Sequence, residues 1–74
     1  MKVVKPIHQM GERWYIQIDD KVVKVPWRYN RPMIKVNGIK TIYEYQIGDE
    51  IKAEITIKKW EDSNHYILKS ITDV

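Results

Sequence analysis

Residues 48–59 read GDEIKAEITIKK, and their alternation decides the fold class. Ile51, Ala53, Ile55 and Ile57 fall on one side of an extended chain, and Lys52, Glu54, Thr56 and Lys58 on the other. A period of two in side-chain direction belongs to a β-strand, so this stretch is a strand with one apolar face. Gly48-Asp49 in front of it is a turn signal. Upstream, Trp14, Ile16 and Ile18 oppose Arg13, Tyr15, Gln17 and Asp19 in the same way. Asp19-Asp20 then reads as a tight turn into 22–25. A two-residue loop there sets Trp14 against Val25 and Ile16 against Val23, both apolar pairs, and leaves Tyr15, Gln17, Val22 and Lys24 facing outward.

Further turns mark further strands. Asn37-Gly38 has the preferred chemistry of a type I′ hairpin, which would pair Val36 with Ile39 and Ile34 with Thr41 and set Lys35 opposite Lys40. A last hairpin joins Lys59 to Tyr66 through residues 60–65. Pro6 interrupts the first strand, roughly 2–10, and places it at an edge or bend. The chain has 12 Ile and 7 Val but only one Leu, and no Phe beside three Trp and five Tyr. These branched and aromatic side chains pack well on pleated sheets. The expected fold is all-β: a small antiparallel barrel of five to seven short strands, of Greek-key or SH3-like form, with little or no helix. Trp14 is expected in its core.

At 74 residues the chain makes one domain, 1–74. So small a domain buries only roughly 60% of its unfolded surface. Cys is absent, no apolar run approaches the roughly 20 residues that span a bilayer, and no secretory apolar segment follows Met1. The expected location is the cytoplasm, without membrane association. Richness in Ile, Lys and Glu without Cys suits an archaeal or thermophilic source, and equally an AT-rich genome. The net charge of +3 is unevenly spread. Residues 1–40 carry nine cations and three acids, whereas residues 41–74 carry four cations and seven acids. From Lys21 to Lys40 there are six cations and no acid.

YQIGDEIKAEITIKK, residues 45–59, resembles the Gly-Asp turn and long following strand of OB-type barrels, including the TRAM group. VVKVP, residues 22–26, is similar to the TRAM-type strand that ends in Val-Pro. The resemblance covers about a third of the chain. It lacks the cold-shock aromatic signature and the helix usual between the third and fourth OB strands. It implies single-stranded DNA or RNA as ligand.

Catalytic patterns are missing. His8 and His65 stand far apart, outside any metal-ligand spacing. The acid pairs Asp19-Asp20, Asp49-Glu50 and Glu61-Asp62 fall at turns, where such residues are ordinary. No nucleophile elbow or phosphate-cradling Gly loop occurs. The expectation is a non-enzymatic protein with no metal, cofactor or small-molecule substrate. PWRYNRP, residues 26–32, supplies two aromatics and two guanidiniums between prolines. Cations neutralise phosphates and aromatic faces stack on unpaired bases. The candidate nucleic-acid contacts are therefore Tyr15, Lys24, Trp27, Arg28, Tyr29, Arg31, Lys35 and Lys40, with one of Trp27 and Tyr29 partly buried. Duplex DNA, as for a chromatin protein, is a further possible ligand. The alternative function is a protein-interaction module or a small subunit of a larger viral or ribosomal assembly, through a partner protein or self-association. Trp, Tyr and Arg also dominate protein interfaces.

Overall fold

The computed structural model describes residues 1–74 throughout. Eight strands run in chain order: β1 Val3–Met10, β2 Arg13–Ile18, β3 Lys21–Val25, β4 Trp27–Arg28, β5 Arg31–Pro32, β6 Lys35–Asn37, β7 Ile51–Trp60 and β8 Ser63–Asp73. The one helical element is a single 3-10 turn, Ile42–Glu44. No helix is long and apolar enough to cross a membrane.

The first half follows the alternation. β2 and β3 form the expected hairpin in the expected register, with Trp14 opposite Val25, Tyr15 opposite Lys24 and Ile16 opposite Val23. β1 pairs only with β2, and its register slips on both sides of Lys5, around Pro6. That is the edge position which a residue without an N–H tolerates. β7 and β8 pair antiparallel along their whole length through a two-residue loop, Glu61-Asp62, tighter than the six-residue connection expected.

Two pairings depart from the all-antiparallel expectation. β8 carries β7 on one edge and, on the other, two parallel neighbours in succession: β3 at Tyr66 and Ile67, then β6 from Ser70 to Thr72. The result is a curled half-barrel sheet in the order β1-β2-β3-β8-β6, with β7 alongside β8. β4 and β5 form a separate two-stranded sheet. Lys2 bridges to Glu50, and the Ile51 N–H donates to the Met1 carbonyl at 2.8 Å, which draws the starts of β1 and β7 together at one end.

The Asn37-Gly38 hairpin does not form. β6 pairs instead with β8, setting Val36 beside Ile71 and Lys35 beside Ser70, so Lys35 and Lys40 do not oppose one another. Asn37 donates through its side chain to the Thr72 hydroxyl at 3.2 Å. After Gly38 the chain turns into the 3-10 element. Ile39 is 98% exposed, whereas Ile42 and Tyr45 are buried. A spacing of three between Ile42 and Tyr45 fits one face of a 3-10 turn, not a strand. Those two side chains plug the interior beside Val3, Ile16, Ile18, Val23, Val25, Ile51, Leu68 and Ile71. Trp14, expected in the core, lies half-buried against its rim.

Burial fades along β7: Ile51 is buried, Ala53 and Ile55 are half-buried, and Ile57 is 61% exposed. From residue 57 to residue 65 every side chain is exposed. The far half of the β7–β8 hairpin is therefore a two-stranded arm that outruns the core.

Candidate nucleic-acid interface

The parallel pairing of β3 with β8 builds a surface that local patterning does not show. It places Val23 beside Tyr66 and Lys24 beside Ile67. Tyr15 is already across from Lys24 on β2, and Thr56 across from Ile67 on β7. Tyr15, Lys24, Ile67 and Thr56 thus form one outward row across four strands. Between the β2–β3 hairpin and the arm lies an open groove of about 520 Å³. One wall is Arg13, Tyr15, Val22 and Lys24; the other is Lys58, Trp60, Asn64, His65, Tyr66 and Ile67.

The groove holds three cations, two tyrosines, an indole and an imidazole, and no carboxylate. Arg13, Lys24 and Lys58 have no acid within ion-pair distance. Trp60 is 70% exposed. At the rim, Lys21 sits 5.7 Å from the centre of the Tyr66 ring. Its ammonium donates to Asp20 at 3.0 Å, which raises the Lys21 pKa and lowers that of Asp20. His8 pairs with Tyr15 across β1 and β2, their ring centres 6.4 Å apart.

The residues singled out in the sequence separate into four places. Tyr15 and Lys24 line the groove. Arg28, Tyr29 and Arg31 occupy the exposed tip of the β4–β5 knuckle. Trp27 is half-buried, stacked on Trp14 with ring centres 4.4 Å apart and edge-on to Tyr43 at 6.2 Å, so one face of its indole is taken. Lys35 borders a smaller polar hollow with Asn37, Glu54, Lys69 and Ser70. Lys40 is engaged within the fold: it donates to Asp49 at 3.3 Å and lies 5.4 Å from the centre of the Tyr45 ring.

Trp60, at the start of the last turn, was legible as a second contact, but Arg13, Lys58, His65 and Tyr66 escaped the sequence reading. The signal was a two-residue turn at Glu61-Asp62, which puts Lys58 opposite His65. No group of three or more metal-ligating side chains comes together. No protein-family profile, curated protein or solved structure matches this chain at a significant level.

Proposed function

We propose that this protein is a non-catalytic nucleic-acid-binding domain that holds an unpaired strand in the groove between the β2–β3 hairpin and the β7–β8 arm. The observation that carries this reading is the groove's composition: stacking rings interleaved with unpaired cations and free of acids. Arg13, Lys24 and Lys58 contact phosphates, and Trp60 and Tyr15 stack on bases. A stacked base contributes about 1–3 kcal/mol, and the contact tolerates any sequence because every base has a π-face. A duplex hides those faces, so the unpaired strand is preferred.

The test is an anisotropy titration with single-stranded DNA, single-stranded RNA and duplex DNA at two salt concentrations. Trp60→Ala is expected to weaken single-strand binding by about 1–3 kcal/mol and to leave the salt slope unchanged. Lys24→Ala and Lys58→Ala are each expected to lower that slope by about 0.7. Absence of binding at low salt, or full affinity in the triple variant, would reject the reading. A protein interface would then take precedence, and the exposed side chains of Ile39 and Ile47, outside the groove, are where it would be sought.

A further inference from the structure

The knuckle formed by β4 and β5 has three features that work against its own stability. Trp27 pairs with Pro32 and Arg28 with Arg31, so Tyr29 and Asn30 are the two loop residues. Both take left-handed backbone, with φ of 54° and 60°. Positive φ at both central residues defines a type I′ turn. Asn enters this region readily, but a bulky aromatic there is strained. Arg28 and Arg31 also face each other directly, and like charges opposed across a strand pair repel. Neither has an acid within ion-pair distance. Finally, the Tyr29 ring is 78% exposed, so it gains little from burial.

The geometry gives these features one direction. Strand alternation places Arg28 and Arg31 on one face of the ladder and Trp27 on the other. Trp27 packs on Trp14, so the two guanidiniums point away from the body of the protein. Arg28, which pairs with Arg31 across the ladder, lies over the Tyr29 ring, 5.1 Å from its centre. An oxyanion between the two arginines would turn their repulsion into paired attraction, because a guanidinium can meet an oxyanion with two hydrogen bonds.

We propose that Arg28, Tyr29 and Arg31 form a phosphate-gripping site, with Arg28 and Arg31 closing on one phosphate and Tyr29 stacking on the adjoining nucleoside. The phosphate is assigned to the strand held in the groove, an assignment that rests on the function proposed above. The two sites are linked along the chain, since β3 carries Lys24 of the groove and leads directly into the knuckle. Trp14 pairs with Val25, so Arg13 of the groove stands across from the chain where it leaves β3 for the knuckle.

The experiment combines stability with binding in three proteins: wild type, Tyr29→Asn and Arg31→Thr. Both variants are expected to melt at higher temperature than wild type, because one relieves the left-handed aromatic and the other the like-charge pair. Both are expected to bind a single-stranded oligothymidylate at least fivefold more weakly, and Arg31→Thr to lose about 0.7 of salt slope. A merely structural knuckle would lose stability, or leave affinity untouched, and either result overturns the proposal. Amide shifts of residues 27–32 are then followed with inorganic phosphate and with 5′-phosphorylated and unphosphorylated oligothymidylate. Equal shifts with the two oligonucleotides identify an internal phosphodiester, and a preference for the phosphorylated one a terminal phosphomonoester; both support the site. Shifts with inorganic phosphate alone overturn the assignment to a strand. If Trp60→Ala leaves affinity intact while the knuckle variants lower it, the groove reading fails and the phosphate site stands.

Discussion

Three residues set measurable limits on the fold. The Tyr45 hydroxyl is buried, with the Asp73 carboxylate nearby. Burial, with the nearby Asp73 carboxylate adding to it, pushes the Tyr45 pKa up to about 12. The folded state therefore holds this proton more tightly than the unfolded chain, whose tyrosine titrates near 10. The stability linked to it is complete below about pH 10 and is lost as pH rises through about 12. Tyr45→Phe should abolish that alkaline loss, read from urea melts at pH 7 and pH 11. Asp49 behaves oppositely. The Gln46 N–H at 2.9 Å, and then the Lys40 ammonium, hold its carboxyl below the ordinary value. Its contribution is present above the unfolded pKa, near 3.9, and is lost as pH falls through the lower folded value. Asp49→Asn should flatten that acid limb. Gly38 has φ of 139°, and a Cβ there would lie 2.9 Å from an Asp73 carboxylate oxygen. Such backbone is essentially restricted to glycine and costs other residues about 1–3 kcal/mol. Gly38→Val should lower stability by at least about 1 kcal/mol in a thermal melt. Glycine at this position was legible as a requirement for positive φ, but the reason lies in β8 and not in a hairpin.

Elements were legible where their partners are local. The β2–β3 register followed from two alternating runs and a two-residue turn, because one slip would turn Trp14, Ile16 and Ile18 to solvent. The 37–45 stretch was misread because Asn-Gly preference is a local signal, while the competing partner of β6 is an edge of β8 more than thirty residues away. The spacing of Ile42 and Tyr45 was the contrary evidence in the sequence. The arm shows the limit of alternation as a measure of burial: Ile57 continues the apolar face of β7 beyond the interior it matches. Few contacts hold residues 57–65, so their amides should exchange faster than those of 51–55 and 68–71 in native-state hydrogen exchange. Trp60→Ala should change stability by no more than about 0.5 kcal/mol, because its ring rests on solvent.

For the molecule as a whole, the sequence showed a basic half and an acidic half but not where they meet. The groove takes Arg13, Tyr15 and Lys24 from the first half and Lys58, Trp60 and His65 from the second. Only a parallel contact joins those halves at this point, and a parallel pair leaves no hairpin turn to read in the sequence. That is why Tyr15 and Lys24 could be singled out while Lys58, His65 and Tyr66 of the opposite wall could not. The position of β8 also has a consequence in time. It is the shared partner of β3, β6 and β7. While the chain is being synthesised, the β1–β2–β3 meander emerges from the ribosome with one edge of β3 open and Val23 and Val25 uncovered. Ile42 and Tyr45 precede residue 63, but only β8 closes the open edge of β3. A nascent chain with residues 1–62 clear of the exit tunnel should be cut rapidly by protease, and one with residues 1–73 clear should resist, so the transition to resistance dates the completion of the fold to the arrival of one strand.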